Sequence, residues 1–358
     1  MNLIFFEDIR YIKLWLPVLR FNFKILFFNP YLKKNKIFLK NEKIEIKEET
    51  IFLSLFFVPS EIKKFKENKI LVNEGNKVGI FLKNGEYDLE NLFKEFEKNY
   101  EINEIKGKFI NTPFKLISNF EEILNEYLDL IKKSYKKIKK NVYSKTKIPK
   151  FLEIDSENGI VLIEENVKIE PFTFIKGPAF IGKNSLLKSA KIYSSYIGEF
   201  SKIGGEIDTV IFNGFSNKAH EGFIGHSLVG EWVNLGAMTT NSDLKNNYSE
   251  VRIKIKDEII NTGILKFGAI IGDHVKTGIG TLIQTGSYID IFSNIFTGGF
   301  CPKYVPPFSW VSSEKIEIYE IEKAIETAKK VMRRRNVEMD EIYEKKIREI
   351  FKEEIENR

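Results

Sequence analysis

Cysteine is all but absent from this chain. The single thiol, Cys301, excludes an intrachain disulfide and a cysteine-rich metal centre, and it fits a reducing compartment. Histidine is scarce as well: there are three, at positions 220, 226 and 274. Three histidines without ligand spacing do not point to zinc, and no metal centre is expected. Glycine is missing from residues 1–30. Backbone N–H groups approach a triphosphate closely only in a compact, glycine-bearing loop, so that stretch lacks such a cradle. Apolar runs are short. The longest, such as 51–58, fall far below the ~20 residues of a membrane-spanning helix. Glu7 and Asp8 lie close to Met1 with no apolar core after them, so no signal peptide is expected and a cytoplasmic location is the default.

What is present is a foldable, mixed composition, 43% hydrophobic and 30% charged. A length of 358 residues suggests two or three domains at ~150 residues each. The net charge of +6 is too small to indicate a nucleic-acid partner. Its basic excess is N-terminal, with about 30 basic against 20 acidic residues in 1–150, and no acid interrupts 132–150. That stretch reads as a solvated helix end and linker, with polyanion binding as the alternative.

Residues 1–150 read as a small α/β layer. Strands are expected at 3–6, at 51–58 before Pro59, and at 78–82 before the turn pair Asn84 and Gly85. A short helix is expected over 61–68 after Ser60, an N-cap residue. Leu89, Leu92, Phe93 and Phe96 predict a helix over 88–100; Ile123, Leu124, Tyr127, Leu128 and Ile131 predict one over 119–138.

The period then changes. Ile163, Ile169, Ile175, Ile181 and Leu187 recur every six residues, as do Leu265, Ile271, Thr277, Ile283, Ile289 and Ile295. Ile197 and Ile203, each followed by glycine, keep the step. A helix cannot use a period of six, and a flat strand uses two. A hexapeptide repeat of this kind predicts a parallel β-helix, in which the aliphatic points inward and glycine permits a tight corner. The step is lost in a polar loop at 241–263. After Pro306 and Pro307 the chain turns helical. Ile321, Ala324, Ile325, Ala328, Val331 and Met332 form one stripe, and Ile342, Ile347, Ile350 and Phe351 begin another. Arg333, Arg334 and Arg335 suit the dipole at the first helix's end.

Polar motifs interrupt the repeat: Ser-Asn-Lys-Ala-His-Glu-Gly-Phe-Ile-Gly-His at 216–226, Gly-Glu-Trp-Val-Asn-Leu-Gly-Ala at 230–237, Thr-Thr-Asn-Ser-Asp-Leu-Lys-Asn-Asn-Tyr at 239–248 and Gly-Asp-His-Val-Lys-Thr-Gly at 272–278. With these the chain resembles the bifunctional sugar-1-phosphate nucleotidylyltransferase/acetyltransferases, in the variant branch whose N-terminal domain is short and atypical. Residues 6–10, 16–20, 112–116 and 326–335 fit the same family. The resemblance implies an atypical nucleotidyltransferase-like α/β domain over 1–150, a left-handed β-helix acyltransferase domain over 151–312 and C-terminal α-helices over 313–358. It also implies a homotrimer with sites between neighbouring β-helices, acetyl-CoA as acyl donor, and an amino-sugar phosphate or nucleotide sugar as acceptor. Neither nucleic acid nor a membrane is an expected partner. Mg2+ enters only if the N-terminal domain turns over nucleotide.

By that resemblance His220 is the general base, a role its ordinary pKa near neutrality suits. His226 and His274 are read as packing, with a coenzyme contact or no role as the alternatives. Lys218 and Lys245 are candidates for the substrate phosphate, and Asn241 for the sugar's amine or acyl region, with Asp243 able to occupy that position under a two-residue shift. Ala237 corresponds to a backbone contact near the thioester; Lys276 and Thr277 lie where the coenzyme arm would run. The family usually places tyrosine three residues after the base, and this chain has Phe223, so the acceptor site is altered. Two other readings stand beside acyl transfer: a nucleotidylyltransferase whose β-helix only trimerises it, and a non-catalytic assembly protein. Purified protein given UTP, magnesium and a panel of sugar 1-phosphates is expected to release no pyrophosphate at rates near the ordinary enzyme range of ~1–1000 per second. Such turnover would mean that a segment without glycine can cradle a triphosphate.

Overall fold

The computed structural model describes residues 2–6, 37–38, 43–46, 50–54, 57–59, 67–73, 75–82, 85–88, 100–110 and 112–356. They divide into two compact units, the described residues up to 116 and those from 117 on. No helix among the described residues is long and apolar enough to cross a membrane.

The first unit holds a six-stranded mixed sheet in the order Ile37–Phe38, Asn2–Phe6, Thr50–Ser54, Asn76–Leu82, Lys69–Asn73, Glu101–Glu104. Asn76–Leu82 is antiparallel to both neighbours and buries Val78, Ile80 and Phe81. The strand expected over 51–58 is two strands in two sheets. Thr50–Ser54 stays in the main sheet, and Phe57–Pro59 pairs with Gly107–Phe109, where a proline without an N–H is tolerated in a short two-stranded ladder. The helices expected over 61–68 and 88–100 lie almost wholly outside the described residues.

In the second unit the helix Phe120–Ile131 buries Ile123, Leu124, Tyr127 and Leu128. It ends at Ile131 rather than 138. The apolar spacing stops there, and a lysine-rich strand, Lys136–Lys139, folds back as a hairpin with Val142–Ser144. Val142–Ser144 is in turn the first rung of the β-helix, in parallel register with Val161–Ile163. The solenoid therefore starts before residue 151.

The solenoid is the parallel β-helix that the hexapeptides predict, of the left-handed class that the family resemblance implies. Each coil contributes one inward residue to each of three faces. The first face stacks Ile163, Ile181, Ile197, Phe212 and Val229, then Ile271, Ile289 and Val305. The second stacks Ile169, Leu187, Ile203, Lys218 and Leu235, then Thr277, Ile295 and Val311. The third stacks Ile175, Ile192, Ile207 and Ile224, followed by the paired Asn241 and Ile283. Between 187 and 212 the corners shorten, so inward residues also fall at Ile192, Ile207 and Phe212 and escape a strict six-residue count. Cys301 is also inward, and burial pushes its thiol up to about 12, which leaves it inert.

The insertion leaves the third corner after Asn241 and folds as an antiparallel hairpin, Arg252–Ile255 with Glu258–Asn261. Leu265, which keeps the six-residue step by spacing alone, lies in this insertion and is 50% exposed. At the first corner Phe200, Phe215, Trp232, His274, Phe292 and Phe308 form a continuous ring stack. The helices Ile321–Arg333 and Glu341–Glu356 cover its end, with Ala324, Ile325, Ala328 and Ile347 buried against Phe292 and Phe308. Arg348 ties the two helices by pairing with both Glu322 and Glu344. Ile342 faces solvent at 82% exposure, so the buried stripe of the last helix begins at Tyr343.

Candidate active site

His220 stands at the second corner, where the chain turns from the strand Asn217–Lys218 into the third face. Its ring is exposed and, among the described residues, has no hydrogen-bond partner. It lines a cleft of about 360 Å³ with Ala237, Met238, Gly204, Gly205 and Lys188. The backbone beneath it is held firmly. Lys218 is fully buried in an inward position, and its Nζ donates to the carbonyls of His220 and of Glu221, the latter at 2.8 Å. Gly222, at φ +126°, lets the turn close: a Cβ there would sit 2.3 Å from the Thr239 carbonyl oxygen and 3.1 Å from the Lys218 ammonium. Burial lowers the Lys218 pKa to about 8, partly offset by Glu221. The lysine read as a phosphate ligand thus has its ammonium on backbone carbonyls, where it braces the corner that carries His220.

Asn241 also points into the prism. Its Oδ1 accepts from the Gly225 N–H at 2.7 Å, and its Nδ2 donates back to the Gly225 carbonyl at 3.0 Å, which locks one rung to the next. Thr277 Oγ1 accepts from the Gly236 N–H at 3.0 Å and shares a hydrogen bond with Thr239 at 2.7 Å. Lys276 donates to the His274 carbonyl at 3.0 Å, and burial lowers its pKa to about 8. Within one chain, then, the structure brings His220 and Ala237 into one cleft and places Asn241 and Thr277 in the coil interior.

Lys245 lies elsewhere. It sits on the insertion at the third corner, donating to Ser249 Oγ at 3.3 Å and to the Glu250 carbonyl. With Lys303, Gln284, Thr285, Leu282 and Phe300 it lines a second, larger groove of about 670 Å³.

His274 is packing, as its place in the ring stack requires. It is fully buried between Trp232 and Phe292, with Nε2 3.0 Å from the Tyr343 hydroxyl, and burial holds its pKa well below the ordinary histidine value. His226 is different. Its Nδ1 donates to Asp243 Oδ2 at 2.7 Å. Burial opposes ionisation of Asp243, but the hydrogen bond and charge of His226, with Lys266, hold its carboxyl below the usual range. This pair was not read from the sequence. The available signal was the separation of 17 residues, one coil of this solenoid. His226 occupies the third corner and His220 the second, at opposite edges of the strand residues 223–225. Among the described residues no group of three His, Cys, Asp or Glu side chains is arranged to hold a metal ion.

No family model matches the chain. It is 37% identical over 149 residues to the bifunctional sugar-1-phosphate nucleotidylyltransferase/acetyltransferase of Sulfurisphaera tokodaii, covering 39% of this chain and 36% of that protein. It is 31% identical to the bifunctional protein GlmU of Methanococcus aeolicus over 61% of this chain and 50% of that one. The GlmU of Methanococcus vannielii is 28% identical, over 72% and 63%. The chain is similar to parts of these bifunctional transferases. It spans between about a third and two thirds of their lengths. A solved structure, a mutant of AntD, an N-acyltransferase from Bacillus cereus, in complex with dTDP-4-amino-4,6-dideoxyglucose and coenzyme A, shares 16% identity, covering 56% of this chain and 95% of that one. Its TM-score is 0.20, and nothing is carried over from it.

The buried lysines set a pH dependence. Lys276 has a folded pKa near 8 against 10.5 in the open chain. Between those values the unfolded state binds more protons, so this group's contribution to stability rises with pH across the window. Denaturant unfolding of the wild type and of Lys276→Met at pH 8 and pH 10 should show the wild type gaining relative to the variant. A constant difference would mean that Lys276 is solvated.

Proposed function

We propose that the chain is an acyltransferase that moves acetyl from acetyl-CoA to the amine of an amino-sugar phosphate or nucleotide sugar, at a cleft completed by a second copy in a homotrimer. The observation that carries this reading is His220: an unpartnered imidazole, open to solvent, on a corner whose backbone is fixed by Lys218. Such a group accepts a proton without first breaking another hydrogen bond. In the reaction the amine nitrogen forms a bond to the thioester carbon, the carbon–sulfur bond breaks, and the amine's proton passes to the imidazole. Protonated His220 then returns it to the departing sulfur. An N–H in the Ala237 segment would face the oxygen that gains charge. In this reading Asn241 and Thr277 shape the coils behind the cleft, Lys276 stiffens the run toward the coenzyme arm, and Lys245 reaches the site from the neighbouring copy.

Two observations support completion by a neighbour. The corner that carries His220 also exposes Phe172, Met238 and Ile279, at 88%, 56% and 76%. A row of apolar side chains along one edge of a solenoid is a surface that association removes from water. The polar groups of the insertion, Lys245 among them, line a different groove of the same chain. Phe223 brings no hydroxyl to this region, which favours an acceptor other than the family's ordinary one. The α/β unit in this reading retains a structural or sugar-nucleotide-binding role.

His220→Ala should lower coenzyme A release with amino-sugar phosphates by about 100-fold or more while leaving unfolding unchanged. Unchanged release would show that His220 is not the base. Sedimentation at micromolar concentration should give three times the 41.8 kDa of one chain. A clean monomer with full activity would sink the shared cleft.

A further inference from the structure

Four cations meet where the helix Ile321–Arg333 ends against the second face of the solenoid. Arg335, just past the helix, turns inward and donates from Nη2 to Asn217 Oδ1 at 3.0 Å. Asn217 is in register with Lys202 on the neighbouring rung. Lys188 lies in register with Gly204, two residues along from Lys202. Lys202 feels the other three charges, and Arg335 feels Arg334. Burial and then Arg335, Arg334 and Lys188 depress the pKa of Lys202, and burial and then Arg334 depress that of Arg335.

Nearby cations have counter-ions. Arg333 pairs with Glu338 at 3.2 Å, and Lys183 with Glu199 at 3.3 Å. Among the described residues Lys188, Lys202 and Arg334 have no acidic partner, and the hydrogen-bond partner of Arg335 is a neutral amide. A helix-dipole role accounts for Arg333, in the last turn, but not for Arg335, which is committed to the solenoid face. Holding like charges together costs free energy unless an anion joins them. The cluster also adjoins the catalytic cleft, since Lys188 and Gly204 line it together with His220.

We propose that Lys188, Lys202, Arg334 and Arg335 form the seat for a phosphate ester dianion of the substrate handled by the His220 cleft. Guanidinium forks and ammonium groups gathered on one face fit the oxygens of such a group. This seat replaces Lys218, whose ammonium is committed to backbone carbonyls. The identity of the ligand rests on the acyl-transfer reading; the presence of an anion seat does not. A phosphate ester is carried by both an amino-sugar phosphate and coenzyme A, and the experiment separates them.

The full chain would be titrated calorimetrically with glucosamine 1-phosphate, glucosamine, coenzyme A, dephospho-coenzyme A and inorganic pyrophosphate. The double variant Lys202→Gln/Arg335→Gln would be compared with the wild type, with Arg333→Gln as control and unfolding midpoints confirming the fold. The double variant should lose about tenfold or more in affinity for one phosphorylated ligand, and the control should lose none. Loss confined to glucosamine 1-phosphate assigns the acceptor's phosphate; loss confined to coenzyme A, with dephospho-coenzyme A unaffected, assigns the donor's. If the wild type binds neither substrate but binds pyrophosphate, and the double variant does not, the seat stands and the acyl-transfer reading falls. Equal affinities in wild type and double variant, equal loss for unphosphorylated glucosamine, or no anion binding by the wild type would overturn the proposal. Should the double variant fail to fold, Lys202→Gln alone supplies the same comparison.

Discussion

The interior of the prism has room for one inward side chain per face and per rung, and the rest of the molecule follows from that limit. Neighbouring rungs lie ~4.8 Å apart, so each inward aliphatic packs on those before and after it. Where rungs approach most closely a side chain cannot be admitted. A Cβ at Gly198 would fall 2.3 Å from the Asn213 carbonyl oxygen, and one at Gly182 would fall 2.6 Å from the Glu199 nitrogen. With the faces so constrained, functional variety is left to the corners. One corner carries the ring stack that receives the C-terminal helices, another carries His220, and the third releases the insertion.

Polar groups that enter the interior are therefore under tight conditions. A buried amide or ammonium must find its partners within the coil. Asn241 meets this by exchanging two hydrogen bonds with the Gly225 backbone. Lys218 meets it with carbonyls of the His220 turn, and burial depresses its pKa. The same contacts fix the backbone from His220 to Gly225. Residues that resemble ligands by motif thus act one step back, holding in place the group that does face the cleft.

Much of the fold was legible because its repeat is chemical as well as geometric. Ile163, Ile169, Ile175, Ile181 and Leu187 occupy successive inward positions, as the step of six demands. Ile192 and Ile207 do so too, but shortened corners hide them from a fixed count. Leu265 shows the opposite error, since it keeps the step by chance inside the insertion. In the site, the resemblance singled out His220 and Ala237 separately, and the folded chain sets both in one cleft. It could not tell inward from outward at Lys218, because a lysine in an inward column has no precedent in the aliphatic pattern. His226 was invisible as a partner of Asp243 until coil length was known. The cation cluster needed the helix end and the second face brought together, 118 positions apart in the case of Arg335 and Asn217.

The central claim is that His220 faces a thioester in a cleft shared between copies. A crystal structure of the protein with coenzyme A and an amino-sugar phosphate tests it most directly. The coenzyme's sulfur is expected beside Ala237, the amine within hydrogen-bond reach of the His220 ring, and a second copy closing the cleft over Met238. Coenzyme bound instead in the groove lined by Lys245, Lys303 and Phe300, with His220 facing only solvent, would contradict it.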